Sequence, residues 1–140
     1  MKRFRLLLLV LTMALPMAAQ DETKSTDGEF DWEPVMNAIA QIESHGQPNA
    51  RNGQYLGILQ IAPVLVRECN NILRSRGRDK QYSLADRYNV EKSKEMFLLI
   101  QSQYNKTNDV EKAIRTWNGG PRYSVRATNG YYQKVLRRMR

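Results

Sequence analysis

The chain of 140 residues contains little cysteine and little histidine, with one residue of each. A lone cysteine excludes an intramolecular disulfide. Cys69 stands among apolar residues at helical spacing, which is typical of a buried and unreactive thiol. The lone His45 excludes a histidine-rich metal site. We therefore expect chemistry that uses no metal and no cofactor.

No apolar run is long enough to span a membrane. The longest, residues 6–15, has ten residues and includes one threonine, whereas a transmembrane helix needs about twenty. Three cations precede this run and small residues follow it, a pattern that predicts a secretory signal peptide over residues 1–19. No cysteine lies near the predicted cut after Ala19, so we expect no lipid anchor. The mature protein is then expected in the periplasm or outside the cell, with no integral membrane segment.

The chain has an excess of positive charge, with a formal net charge of +8. Without residues 1–19 there remain 19 Lys and Arg against 14 Asp and Glu. Such an excess favours an anionic partner, and charge alone leaves both cell wall and nucleic acid open. The absence of a basic motif interleaved with aromatic residues argues against nucleic acid. The basic C-terminal residues Arg137, Arg138 and Arg140 are typical of a solvated helix end.

Apolar residues recur at helical spacing along most of the chain, after a polar and aperiodic lead-in at residues 20–30. There is no internal repeat and no series of alternating strands. We expect one small domain over residues 31–140, mainly α with one minor hairpin. Start and stop signals predict a helix from Asp31 to about Ser44, a hairpin within 50–58, helices at about 63–75, 90–104, 109–119 and 129–138, and a loop with a short turn at 76–89. The helix at 90–104 is expected to bury Phe97, Ile100 and Tyr104.

Glu43 is the acidic residue that the pattern singles out. It follows Ile39, Ala40 and Ile42 at the end of the first predicted helix, where an apolar face meets the surface. Burial beside apolar groups disfavours the charged form of a carboxyl and raises its pKa, which suits a general acid. Position alone leaves open the simpler alternative of a solvated glutamate at a helix end.

Four short segments around and after Glu43 occur in a set order. They read I-E-S-H-G-Q-P-N-A at 42–50, G-I-L-Q-I at 57–61, T-W-N-G-G-P at 116–121 and G-Y-Y-Q-K-V-L at 130–136. Together they resemble the motifs of the soluble-lytic-transglycosylase (SLT) type family, enzymes of lysozyme-like fold that cleave the glycan strands of bacterial peptidoglycan. The four segments span nearly the whole expected domain.

The resemblance implies a catalytic residue and two residues that contact it. Glu43 matches the family's catalytic glutamate. Ser44 matches the serine that helps to orient this glutamate and the substrate. Tyr131 matches the tyrosine whose hydroxyl reaches the catalytic carboxyl. His45, which follows Ser44, matches no catalytic position and is expected to be a loop residue.

The resemblance also implies three further substrate-binding residues. Gly57 matches a glycine that permits close approach of a sugar, Gln60 a glutamine that hydrogen-bonds the glycan, and Asn118 an asparagine that contacts the sugar beside the scissile bond. Two positions depart from the family pattern: Trp117 replaces a tyrosine, and Tyr132 replaces a residue that is often valine. We expect Trp117 to be a core residue rather than a platform for sugar.

The motif segments supply one carboxylate, Glu43, whereas hydrolysing glycosidases usually hold two. The resemblance therefore implies a lytic transglycosylase, which breaks the bond between N-acetylmuramic acid and N-acetylglucosamine and closes a 1,6-anhydro ring without water. A lysozyme-like hydrolase that uses Asp79 or Asp86 as a second carboxylate remains open. So does a catalytically silent protein that binds the cell wall or serves envelope assembly. The expected partner is peptidoglycan, and the expected state is a monomer.

Overall fold

The computed structural model describes residues 29–140. The predicted signal peptide and most of the lead-in lie outside the described residues. Five α-helices account for most of the described chain, and two short antiparallel strands form its one sheet. The prediction of a mainly α fold with a minor hairpin is confirmed.

The elements follow one another along the chain with short connections. Their bounds are α1 Glu33–Ser44, β1 Arg51–Asn52, β2 Tyr55–Leu56, α2 Pro63–Ser75, a 3-10 helix Leu84–Tyr88, α3 Val90–Tyr104, α4 Val110–Gly119 and α5 Val125–Arg138. Helices α2 and α3 have the predicted bounds. Proline begins α2, where its missing N–H costs no hydrogen bond. The side chain of Asn89 caps α3 by accepting the Lys92 N–H at 2.9 Å.

Three details of the prediction were wrong. The residue that caps α1 is Trp32 rather than Asp31, although the Asp31 carboxylate still accepts the Glu33 N–H at 2.9 Å. Helix α5 begins four residues earlier than predicted, because the Ser124 hydroxyl accepts the Ala127 N–H and provides an earlier cap. Tyr104 lies at the end of α3 and is exposed rather than buried.

The core lies between α1, α3, α4, α5 and the loop at residues 57–61. Its largest fully buried side chains include Phe97, Met36, Ile39, Leu59 and Ile114. Phe97 on α3 contacts two indole rings, with ring centroids 5.7 Å from Trp32 and 5.0 Å from Trp117. These contacts join the first, third and fourth helices into one hydrophobic cluster.

Cys69 on α2 is fully buried, as the sequence predicts. Burial raises the pKa of its thiol to about 12, so the thiolate that a nucleophile needs is not populated near neutral pH. None of the helices in residues 29–140 is both long enough and apolar enough to cross a bilayer.

Candidate active site around Glu43

Glu43 lies in the last turn of α1, one residue before the helix ends. The helix stops there because His45 adopts the left-handed conformation with φ 53°, and Gly46 follows with φ 74°. The N–H groups of these two residues donate to the carbonyls of Gln41 and Ala40, each at 3.2 Å. Because these bonds close the last turn, they fix the backbone from which the Glu43 side chain projects.

Tyr131 on α5 is the hydrogen-bond partner of Glu43. Its hydroxyl donates to Oε1 of Glu43 at 2.8 Å. Helix α5 packs directly against α1, so the contact joins two helices that are distant in sequence. Burial and the neighbouring carboxylate both raise the pKa of Tyr131 above its usual range. The hydroxyl therefore keeps its proton and acts as a donor.

The Glu43 carboxyl is half-buried, and this burial raises its pKa. The hydrogen bond from Tyr131 lowers the pKa, but desolvation is the larger effect. Among the described residues, no charged group contributes to the shift. The carboxyl thus holds its proton to higher pH than a solvated glutamate does, as a general acid requires. Since Tyr131 contacts Oε1, the other oxygen is left to carry the proton.

Ser44 is buried, and its hydroxyl is directed at protein backbone. Its Oγ lies 2.8 Å from the carbonyl oxygen of Ile58 and 3.0 Å from that of Ala40. The first contact joins the end of α1 to residues 57–61, which we call the motif loop. The structure therefore gives Ser44 a place in fixing Glu43 relative to the motif loop. A direct contact between Ser44 and substrate stays a prediction.

Trp117 holds the motif loop from α4. Its indole Nε1 donates to the carbonyl of Leu59 at 3.1 Å, and its half-buried ring packs on Phe97. This placement agrees with the expectation of a core residue. Asn118, the next residue, is exposed and makes no side-chain hydrogen bond within residues 29–140. Its amide is therefore open to a ligand.

Gln60 lies within the motif loop in the left-handed conformation, with φ 51°. Its Nε2 donates to the carbonyls of Gly57 at 2.9 Å and Ala50 at 3.2 Å. The amide nitrogen thus stabilises the loop itself, and only the amide oxygen is left for a sugar hydroxyl. The predicted contact between Gln60 and the glycan would have to use that oxygen.

Gly57 is required at its position by an approach of protein backbone. It is buried with φ 80°, and a Cβ there would lie 1.8 Å from the carbonyl oxygen of Arg87. The resemblance attributes a glycine here to the approach of a sugar. The structure gives a different reason, because the space beside the α-carbon is already filled by the chain.

Arg87 and Ser93 support the motif loop, and neither was predicted from the sequence. The buried guanidinium of Arg87 donates to the carbonyls of Gln54 and Leu84 at 2.8 Å and of Ile61 at 3.0 Å. The Ser93 hydroxyl donates to the carbonyl of Arg87 at 2.9 Å. An arginine in a polar segment carries no sequence signal of burial, so no pattern could have identified it.

The two acids considered for a hydrolase lie in different surroundings from Glu43. Asp86 accepts the Ser83 N–H at 2.8 Å on one oxygen and the Lys92 ammonium at 2.9 Å on the other. These contacts, with that from the Ser83 backbone the largest, lower the pKa of Asp86. It therefore caps the 3-10 helix as a carboxylate. Asp79 is exposed in the connection after α2.

The structure brings the predicted site residues together in two ways. Glu43 and Tyr131 touch directly. The other residues are connected to this pair through the motif loop, to which Gly57 and Gln60 belong and to which Ser44 and the neighbour of Asn118 are bonded.

Comparison with models of protein families gives a match. A model of the family described as "Transglycosylase SLT domain" matches residues 22–137. This range contains all six predicted site residues. No curated protein and no solved structure matches the chain significantly.

Proposed function

The chain belongs to the transglycosylase SLT domain family, and on this basis we propose that it is a peptidoglycan lytic transglycosylase with Glu43 as its acid and base. The bond broken is the β-1,4 linkage from N-acetylmuramic acid to N-acetylglucosamine. One observation carries the assignment to Glu43: its half-buried carboxyl accepts a hydrogen bond from the Tyr131 hydroxyl at 2.8 Å. A solvated surface glutamate has no such surroundings.

In the first step the protonated Glu43 donates its proton to the oxygen that bridges the two sugars. The bond from this oxygen to the anomeric carbon of N-acetylmuramic acid breaks, and N-acetylglucosamine leaves with the proton. The raised pKa keeps the acid form available. The Tyr131 hydroxyl remains hydrogen-bonded to the carboxylate that forms, and so stabilises its negative charge.

In the second step the same carboxylate acts as base. The carbonyl oxygen of the substrate's own N-acetyl group stabilises the positive charge at the anomeric carbon. Glu43 removes the proton of the C6 hydroxyl, and that oxygen bonds to the anomeric carbon, which closes the 1,6-anhydro ring. The carboxyl is again protonated, and no water is consumed. A single carboxylate is enough for this sequence of events.

A hydrolase would need a second carboxylate to activate water. Of the two acids considered for that role, Asp79 is exposed, and both oxygens of Asp86 are held by Ser83 and Lys92. This engagement favours the lytic reaction over hydrolysis. Glu43 is hydrogen-bonded to Tyr131, and its neighbour Ser44 is hydrogen-bonded to the motif loop. This arrangement favours an active enzyme over a protein that only binds the wall.

The proposal is tested by digesting purified peptidoglycan with wild type and Glu43→Gln and measuring the masses of the products by mass spectrometry. We expect wild type to release muropeptides lighter by one water than hydrolysed ones. Glu43→Gln should lose roughly 10²–10⁴-fold in rate, the range for removal of a general acid. Glu91→Gln, which changes an exposed glutamate on α3, is the matched control and should keep full activity. Hydrolysed products would contradict the lytic reaction, and an active Glu43→Gln would contradict the role of Glu43.

We also propose that the enzyme is exported, from the signal pattern in residues 1–19. The support is the cationic start, the short apolar run and the small residues before Gln20. Expression of the full chain in a bacterium, followed by fractionation and N-terminal sequencing, tests this. A mature chain in the cytoplasm that keeps residues 1–19 would contradict it.

A further inference from the structure

The positive charge of the described chain is concentrated at its C-terminal end. Residues 29–120 contain 12 Lys and Arg against 11 Asp and Glu, and are close to neutral. Residues 121–140 contain six Lys and Arg and no acid. All six of these cations are exposed. The net charge of the domain is therefore almost entirely a property of α5 and its two ends.

Four of these cations lie on one face of α5, which we call the α5 basic face: Arg126, Lys134, Arg137 and Arg138. Their spacing of 8, 11 and 12 residues from the first places them on one side of an α-helix. The opposite side carries the buried Thr128 and Val135, which point into the domain. From Arg126 to Arg138 the face is roughly 18 Å long at the α-helical rise.

The α5 basic face has no acidic partner within residues 29–140. Each salt bridge of the described chain uses a cation from elsewhere, on α3, α4 or the segment before the 3-10 helix. Helix stability does not account for the whole pattern either. Arg137 and Arg138 suit the C-terminal end of the helix dipole, but Arg126 stands in the first turn, where a cation is unfavourable. Lys134 and Arg138 are one turn apart and repel each other.

The helix that carries this face also carries Tyr131, the partner of Glu43. Lys134 lies three residues after Tyr131, so a cation of the α5 basic face stands about one helical turn from the site. A polymer that places a glycosidic bond at Glu43 must pass close to α5. If the proposed function holds, that polymer bears short peptides whose free carboxylates are negative at neutral pH.

We propose that the α5 basic face binds the carboxylates of the peptides on the glycan strand that the enzyme cleaves. This inference rests on the proposed function and names a second region of substrate contact. Arginine and lysine side chains on an exposed helix bind such carboxylates through charge-assisted hydrogen bonds. An anionic membrane is the less favoured partner, because the apolar side of α5 packs in the core and is not available for insertion into lipid.

The test measures binding of the protein to purified peptidoglycan sacculi by sedimentation, in a Glu43→Gln background that prevents digestion. The variant Arg126→Gln/Lys134→Gln/Arg137→Gln removes three charges from the face. Arg67→Gln/Arg78→Gln/Lys106→Gln removes three exposed charges from other elements and is the matched control. Thermal unfolding of both variants checks that each remains folded.

We expect the α5 variant to bind about tenfold more weakly than the parent, if each charge contributes about as much as an exposed ion pair. The control should bind within about twofold of the parent. The difference between the variants should vanish in about 1 M salt, where the screening length is only about 3 Å. It should also vanish on sacculi whose carboxyl groups have been converted to methylamides.

Equal weakening of both variants would overturn the proposal, because the effect would then follow net charge alone. A difference that persists on the amidated sacculi would overturn it as well. Vesicles of anionic phospholipid are tested in parallel. Stronger α5-dependent binding to vesicles than to sacculi would overturn the proposal and identify an anionic membrane as the partner of the α5 basic face. If Glu43 is not the acid, the Glu43→Gln parent digests the sacculi and releases soluble muropeptides, so a failure of the proposed function is seen separately from a failure of binding.

Discussion

The helices on either side of the site, α1, α4 and α5, differ from the segment between them in what their polar side chains contact. On the flanking helices Glu43 and Tyr131 contact each other, and Asn118 is open to solvent. In the segment at residues 62–104, Arg87 and Ser93 contact backbone carbonyls instead. The flanking helices thus present the side chains of the proposed chemistry, and also bond the motif loop through Ser44 and Trp117. The two middle-segment residues, in contrast, act only on backbone. Sequence motifs identify the residues of the proposed site, but they do not identify supporting residues such as Arg87 and Ser93.

Gly57→Ala is expected to have the largest effect, since it forces the motif loop away from the middle segment. The added Cβ would lie 1.8 Å from the carbonyl oxygen of Arg87, which is backbone and cannot rotate away. We expect a loss of more than about 4 kcal/mol in the free energy of unfolding, or failure to fold. Gly53→Ala is the matched control, because Gly53 has a similar φ of 59° and nothing within 4 Å.

The control Gly53→Ala should lose only about 1 kcal/mol, the cost of a left-handed alanine. Urea unfolding of the two variants measures the difference. Equal losses would mean that the middle segment does not press on the motif loop, and the contrast between the two regions would fail.

Arg87→Met is expected to have the next largest effect. The substitution removes the guanidinium that donates to the carbonyls of Gln54, Leu84 and Ile61, each at 3.0 Å or less. Of these, the Ile61 carbonyl keeps the Leu56 N–H at 3.2 Å. We expect a loss of about 3 kcal/mol in unfolding free energy, after the relief from removing a buried charge is included. Arg76→Met, at an exposed arginine with side-chain partners only, should lose less than about 1 kcal/mol. Chemical denaturation that gives equal losses for both would contradict the supporting role of Arg87.

Much of the fold follows from local signals, and the exceptions have physical reasons. Proline before an amphipathic stretch marks the start of α2, and Asn89 marks that of α3, so both helices have their predicted bounds. Helix α5 begins four residues before the predicted start, although Gly130, which lowers helix stability, then lies in its interior. The Ser124 cap at the true start outweighs that cost.

The site shows a similar limit. Glu43 and its place at a helix end follow from the motif and the apolar spacing. The burial of Ser44 and the filled space beside Gly57 do not, because each depends on backbone from another part of the chain. Arg87 has no motif at all. A residue whose role is to hydrogen-bond a distant backbone carbonyl can be identified only from a structure that places the two groups together.

Tyr131→Phe tests the flanking helices and should have a moderate effect on rate. It removes the hydroxyl that stabilises the Glu43 carboxylate, so kcat should fall about tenfold, as for loss of a hydrogen bond to a charged group. The same bond lowers the pKa of Glu43, so its removal raises that pKa further. The alkaline limb of the pH–rate profile should therefore move to higher pH. Tyr132→Phe is the neighbouring control, and an unmoved alkaline limb in Tyr131→Phe would show that Tyr131 does not tune the acid.

Glu43→Gln should change stability in the direction opposite to Arg87→Met, and this is the smallest effect expected. Because burial raises the pKa of Glu43 in the folded state, the native protein binds this proton more tightly than the unfolded chain does. The stabilisation from that proton is complete below about pH 4 and is lost as pH rises through the folded pKa. Glutamine cannot ionise, so the variant should be more stable than wild type at neutral pH and equal to it at acid pH. Thermal unfolding across this pH range gives the comparison, and a variant that is less stable at neutral pH would place Glu43 with the supporting residues instead.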